Sequence, residues 1–294
     1  MAMRSVLIGL AALVIGAGAG YLVAGSRGPA EEIIVENEAG ADDWRVDVPE
    51  IRIGISGSER DSQRRERLQV FADYLSERLG VPVTYREAGD YAGITQAVAA
   101  DQIELAITGA SNYANMWETT GGGVEPLVTN REEDGALGYY SALYVRADSP
   151  YQALADLEGH SIAYPDPNST SGYLFPRFEM RERGIDPDTF FSQSGFAGGH
   201  PQAVVAVVQG QYDAGVTWVS GQGDPAEGFT RGNLYLMKQA GQLDMDDIRV
   251  IDLFGPIPNG PIVMRKDLPQ ELKYLLRGIF VSLQAEDPEI YEQL

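Results

Sequence analysis

Tyr164-Pro165-Asp166-Pro167-Asn168-Ser169-Thr170-Ser171-Gly172-Tyr173 is the stretch from which the fold of this chain is read. The apolar run Ser161-Ile162-Ala163-Tyr164 leads into it, two prolines break the run, and three hydroxyl residues and a glycine open a helix-compatible segment. The pattern predicts a strand, a tight loop and a helix N-terminus. The first turn of a helix leaves backbone N–H groups unpaired and carries partial positive charge, which suits an oxyanion. The same residues also make an ordinary cap, because Asn, Ser and Thr side chains satisfy nearby backbone donors. No lysine or arginine lies in the loop, so neutral donors would hold any ligand, which favours reversible capture over chemistry.

Outward from this loop, strands and helices alternate. Ile51–Ile55 reads as a strand, and Leu68, Phe71, Leu75 and Leu79 mark one face of a helix ending at Gly80. Val81–Tyr85 is a second strand, and Asp90 is placed to cap a helix from Tyr91 to Ala100. Ile103–Ile107 is a third strand, with Thr108-Gly109-Ala110-Ser111 leading into another helix. Further on come the extended run Gly138–Arg146, a helix over Gln202–Gln209, a strand over Tyr212–Trp218 and a second extended run, Arg249–Phe254. Pro261–Met264 then returns to the first group of strands, and Leu272, Leu275, Leu276, Ile279, Phe280 and Leu283 pack a terminal helix. Such alternation predicts an α/β protein with mixed, mainly parallel sheets and helices on their faces. The two extended runs predict two lobes, the first from residues 51–142 plus 252–294 and the second from 143–251, joined by crossing strands that can hinge around a cleft.

Composition narrows the function. The 294 residues are enough for two lobes of ordinary size. Lysine and arginine number 22 against 43 acidic residues, a net charge of −21, which excludes nucleic acid as a partner because its phosphates need a basic face. An anion must then be held by local donors against the overall field. There is no cysteine, hence no disulfide, thiolate metal site, thiol nucleophile or lipid-modified N-terminal cysteine. Ser5–Gly25 is uncharged and apolar, which predicts export through residues 1–25 as either a signal peptide or a membrane anchor. Residues 26–50 are acidic and without period, and read as a linker.

Four segments resemble the PhnD-like periplasmic substrate-binding proteins of ABC importers for phosphonate, phosphite and related oxyanions. They are Gly89-Asp90-Tyr91-Ala92-Gly93-Ile94, Asp148-Ser149-Pro150 with Leu154–Gly159, Asp166-Pro167-Asn168-Ser169-Thr170-Ser171-Gly172, and Ile257-Pro258-Asn259-Gly260-Pro261-Ile262-Val263. The resemblance runs from about Ile51 to the C-terminus and implies the two-lobed type II periplasmic-binding-protein fold. It also implies capture of a small phosphorus oxyanion and delivery to an ABC permease in the cytoplasmic membrane. The location it implies is the periplasm or the outer face of the cytoplasmic membrane, and the apolar N-terminal segment would supply any membrane association. Carried over by position, Ser169, Thr170 and Ser171 donate to the ligand's oxygens, Tyr91 presents its phenol to the cleft, and His200 in the pair Gly199-His200 is a further donor. Thr108 stands where some relatives have tyrosine. Relatives that bind aminoalkylphosphonates hold the amine with acids, whereas the matching positions here are Gly260 and, loosely, Ser220. Phosphite, phosphate or methylphosphonate is therefore expected, and Glu118, Asp213 and Asp224 are the acids that would have to reach the pocket if an amine were held.

An enzyme acting on phosphoesters is the first alternative, but no nucleophile elbow, phosphate-cradling lysine loop or metal spacing around His160 and His200 supports it. No catalytic residue, metal or cofactor is expected. Glu132-Glu133-Asp134 reads as a solvated loop. A sensor delivering the same ligand signal to a membrane histidine kinase is the second alternative, since sensing and import need the same closure.

Overall fold

The structure, a computed structural model, describes residues 43–57, 64–132 and 134–291. The apolar N-terminal segment and the linker up to residue 42 lie outside the described residues. Two five-stranded sheets share one plan. In the first, β1 (Ile51–Ser56) runs parallel to β2 (Val83–Ala88) and β3 (Leu105–Ile107). β10 (Pro261–Arg265) lies antiparallel to β3 and to the edge strand β4 (Val124–Thr129), giving the order β2-β1-β3-β10-β4. In the second, β6 (Ser161–Tyr164) is parallel to β7 (Gln193–Phe196) and β8 (Ala214–Val219). β5 (Gly138–Arg146) is antiparallel to β8 and to β9 (Ile248–Pro258), giving the order β7-β6-β8-β5-β9. In each sheet the fourth strand comes from the far end of the chain or from the other crossing, which ties the lobes together.

Both faces of each sheet are covered, as strands built from continuous apolar runs require. On one face of the first sheet the Arg64–Leu79 helix brings Phe71, Leu75 and Leu79 against Leu272, Leu276 and Leu283 of the Gln270–Glu286 helix. On the other face Ile94, Val98 and Met116 pack with Ile103, Val124 and Val263. In the second sheet, Val204 and Val207 of the His200–Val208 helix fill one side and Leu143, Val145, Ile162 and Met180 the other.

Three differences from the expected arrangement have physical reasons. β5 and β9 belong along their whole length to the second sheet, so the sheets part at residues 130–137 and 259–260 rather than at Ala142 and Asp252. β4 and β7 carry no usable sequence signal: Pro126 interrupts β4, which is tolerated because β4 is an edge strand, and β7 is a largely exposed edge of polar composition. Glu132 is not solvated but 7% exposed, accepting from the side chains of Asn130, Asn259 and Arg231.

The expected linker also ends sooner. Asp43 caps the short helix Trp44–Asp47, and Trp44 is 2% exposed within the first core, although its neighbours are acidic and polar. Arg45 stacks on the Trp44 ring and donates to the Leu79 carbonyl, tying this segment to the end of the first long helix. Trp44→Ala should therefore lower stability by about 3–5 kcal/mol, the usual cost of a large buried aromatic. Urea unfolding measures it, and a loss under about 1 kcal/mol, the size of an ordinary surface change, would return residues 43–50 to the linker.

Candidate functional site

The carboxyl end of β6 delivers the loop from which the reading began. Pro167 and Asn168 form a turn closed by the Ser169 amide on the Asp166 carbonyl at 3.1 Å, and the Asp166 carboxylate accepts from the Asn168 amide at 2.7 Å. Ser169 is the N-cap: its hydroxyl oxygen accepts from the Gly172 amide at 3.0 Å. The first helical bonds are then of the i−5 kind, from Leu174 to Ser169 and from Phe175 to Thr170, so Thr170–Leu174 is a π turn continued by the α-helix Phe175–Glu182. Such turns are frequent at functional sites. Ahead of these bonds the amides of Thr170 and Ser171 have no intrahelical acceptor. Gly172 is required by space, since a Cβ there would lie 2.8 Å from the Ser169 hydroxyl oxygen and 2.7 Å from the Pro165 ring.

Ser169, Thr170 and Ser171 are 2%, 7% and 3% exposed. The Ser171 hydroxyl makes no hydrogen bond among the described residues, whereas Ser169 and Thr170 are engaged. Ser169 Oγ lies 3.2 Å from His200 Nε2, and His200 Nδ1 lies 2.9 Å from the hydroxyl of Thr217, a fully buried threonine in β8. The ring is 1% exposed, and both nitrogens face hydroxyls of its own lobe. The geometry brings the imidazole to Ser169, the cap of the loop, and through it to the site. When Nε2 carries the hydrogen, Ser169 Oγ accepts from both Nε2 and the Gly172 amide, and its own hydrogen is left to point outward.

The opposite wall is the N-terminus of the Ala110–Thr119 helix. Its cap residue, Gly109, offers no side-chain bond, and the Ser111 amide donates to Thr170 Oγ1 at 2.9 Å, directly from one lobe to the other. One turn further along, Asn115 reaches Asn168 at 3.4 Å. Behind this helix Asn112 donates to the Tyr91 carbonyl and to Thr95, which joins the Tyr91–Ala99 helix to the same wall. Tyr91 is buried at the start of that helix, whose cap Asp90 accepts from the Gly93 amide. Four helix N-termini thus converge, and the groups that meet are hydroxyls, amides and one imidazole.

Thr108 is placed at this wall. Its hydroxyl donates to the Pro261 carbonyl at 2.8 Å, which fastens β10 to the wall. The acids are elsewhere. Asp213 sits at the amino end of β6, accepting from the Ser161 amide and hydroxyl with His160 at 3.7 Å. Burial alone would raise its pKa, but the Ser161 bonds outweigh that and hold it below the ordinary value. Asp224 caps an exposed 3-10 turn, and Glu118 is exposed in the last turn of its helix. Ser220, 3% exposed, is bonded within its own loop to Thr230 and Gln222. Among the described residues no group of three or more His, Asp or Glu side chains is arranged to hold a metal ion, and no helix is long and apolar enough to cross a membrane. Ser111, Asn112 and Thr217 were not anticipated. The first two carry the same signal as Ser169–Ser171, polar residues opening a helix after a strand, and Thr217 is a lone hydroxyl in an otherwise apolar strand.

Known binding proteins share this fold. The Pseudomonas aeruginosa binding-protein component of an ABC phosphonate transporter superposes with a TM-score of 0.71 at 26% identity, covering 83% of this chain and 78% of that one. The phosphonates-binding periplasmic protein of Escherichia coli is 27% identical over 250 residues, 83% of this chain and 70% of its own length. The phosphate-import protein PhnD of Mycolicibacterium smegmatis is 31% identical over 173 residues, 56% of this chain, and the match spans little more than half (54%) of that relative. PhnD1 of Prochlorococcus marinus, solved with methylphosphonate, shares the fold at a TM-score of 0.69 and 16% identity, over 84% of this chain and 89% of that one. A family model matches residues 53–294, which take in both sheets apart from the first two residues of β1, and the chain belongs to that family, the periplasmic substrate-binding proteins of ABC phosphonate transporters.

Proposed function

We propose that this protein is the extracytoplasmic binding component of an ABC importer and captures a small phosphorus oxyanion between its lobes. The observation that carries the reading is the meeting of two helix N-termini, with the Ser111 amide on Thr170 Oγ1 at 2.9 Å and Ser171, the next residue of that turn, buried. Opposed N-termini concentrate amide donors and partial positive charge in one place, which a tetrahedral anion satisfies from two sides. Ser169, Thr170 and Ser171 supply donors from the second lobe, with His200 and Thr217 orienting Ser169. Ser111 and the Tyr91 helix line the first lobe. A ligand that touches both lobes favours the closed form through those differential contacts. The closed lobes then present one face to a permease in the cytoplasmic membrane, and the apolar residues 5–25 serve export or attachment. No catalytic group, metal or cofactor enters this function. The relatives are named for binding and import, and no observation favours sensing or phosphoester chemistry over capture.

Ser171→Ala is the cleanest test, because its hydroxyl holds no other partner among the described residues. Removing one bond to a charged ligand should cost about 1.5–3 kcal/mol, roughly one to two orders of magnitude in affinity, with the melting curve of the unliganded protein unchanged. Adding Ser169→Ala should weaken binding further and also cost about 1 kcal/mol of stability through the lost cap. Calorimetry with phosphite, phosphate and methylphosphonate measures both, and unchanged affinity would reduce the loop to a helix cap.

Ligand choice is the second test. An ammonium buried in this cleft would find none of Glu118, Asp213 and Asp224 beside it, and an uncompensated buried charge is expensive. Phosphite, phosphate or methylphosphonate should therefore outcompete 2-aminoethylphosphonate by at least about tenfold, or roughly 1.4 kcal/mol. Tighter binding of the aminoalkyl compound in competition calorimetry would overturn this order.

A further inference from the structure

The turn between β9 and β10 touches both the hinge and the cleft. An added Cβ on Gly260 would lie 1.9 Å from the Thr108 carbonyl oxygen and 2.7 Å from Gly109 Cα. Thr108 and Gly109 are the backbone that starts the Ala110–Thr119 helix and sets where the Ser111 amide meets Thr170. Three hydroxyl contacts fasten the turn there: Thr108 to the Pro261 carbonyl, and Thr129 to the carbonyls of Asn259 and Gly260. No side chain fits at 260 without displacing backbone.

The same turn is held from the other lobe. Asn259 donates to the Asn130 carbonyl at 3.1 Å and to Glu132 Oε1 at 3.2 Å. Glu132 lies in the connection from β4 to β5, and its second oxygen accepts from Arg231 at 3.2 Å. Arg231 belongs to the second lobe, where its carbonyl accepts from the Ser220 amide. A buried carboxylate is thus shared by both interlobe connections and by a cation of the second lobe, and the carboxylate is 7% exposed while Arg231 is half exposed.

We infer that Gly260 and the Glu132–Arg231 pair are positioning residues that couple closure at the hinge to donor geometry in the cleft, and so set oxyanion affinity without touching the ligand. Glu132 and Arg231 hold the closed arrangement, and Gly260 carries it to the Ser111 amide. The chemistry of the ligand rests on the proposed oxyanion function; the linkage itself rests on the contacts alone.

The experiment compares Arg231→Ala, Glu132→Gln, their double variant and Gly260→Ala with the unaltered full chain, using phosphite, phosphate and methylphosphonate as probes. Gly278→Ala is the control, because a Cβ there meets nothing within 4 Å. Arg231→Ala and Glu132→Gln should each weaken all three ligands by about three- to tenfold, equally across the set and through faster dissociation, because the closed state becomes less populated. The double variant should lose no more than the larger single loss, as for two ends of one contact. Gly260→Ala should cost more, roughly tenfold or above, and change the order of preference among the ligands, since it moves a donor. Unchanged affinity in Arg231→Ala and Glu132→Gln would overturn the hinge half, and unchanged affinity and preference in Gly260→Ala would overturn the seating half. If Gly260→Ala fails to fold, Thr129→Val, which loosens the same turn, should show the altered preference, and an unaltered preference there overturns the seat. If the unaltered protein binds none of the probes, the oxyanion function fails separately. Small-angle scattering of the unliganded proteins then decides the hinge half: Arg231→Ala should be the more expanded, and equal dimensions would overturn it.

Discussion

A helix that begins inside a protein has amides with nowhere to go, and that constraint organises this cleft. At the end of β6 the chain turns into a helix at residues that are nearly without solvent contact, so every donor of the first turn has to be answered by protein or by ligand. Ser169 answers one, the Gly172 amide, and does so only because Gly172 lets the hydroxyl come close. His200 and Thr217 hold Ser169 in that position from the neighbouring helix and strand. What stays available, the amides of Thr170 and Ser171 and the Ser171 hydroxyl, faces the start of a second helix in the other lobe. Holding these donors in place in advance removes the reorganisation that flexible groups would need on binding.

Charge plays a smaller part than the net value suggests. A chain at −21 is a poor attractor of anions from a distance, and the groups brought together here carry dipoles rather than full charges. A dipole site loses less to desolvation when the lobes close than a buried ion pair does. The guanidinium buried in this lobe is used otherwise: Arg177 stacks on Tyr173 and pairs with Asp188, which sits on the outside of the second lobe. Burial has the first say in the Arg177 pKa and would lower it, and the Asp188 bond reverses that.

How much of this was legible in the residues follows from what each signal physically encodes. Periodicity found β1 to β3, β6, β8 and the long helices, because their burial is periodic. It did not find β7, whose residues are mostly exposed, or β4, where a proline is admitted by an edge position. Composition took Trp44 for linker because one aromatic among acids does not change an average, although its ring is buried in the first core. The Ser/Thr loop was legible since capping and anion holding demand the same residues, but which hydroxyl is spent on protein was not. Thr108 turns to Pro261, His200 turns to Ser169 and Glu132 is buried by Arg231, and each depends on a partner far along the chain.

The two connections between the sheets are unequal: β4 and β5 are joined through residues 130–137, while β9 and β10 are joined by Asn259 and Gly260 alone. A link that short has no slack, so in the proposed closure it is the pivot, and the longer connection takes up the travel. Displacement between the lobes then grows with distance from Gly260, as along a lever. The contacts of Thr108 are at the fulcrum and scarcely move. Ser111 and Thr170 lie further out, and Asn115 and Asn168 another turn beyond them. Travel would thus be least at the Thr108 seat and greatest at the Asn115–Asn168 rim, so the rim carries the time course of closure and the donors between the two carry the recognition.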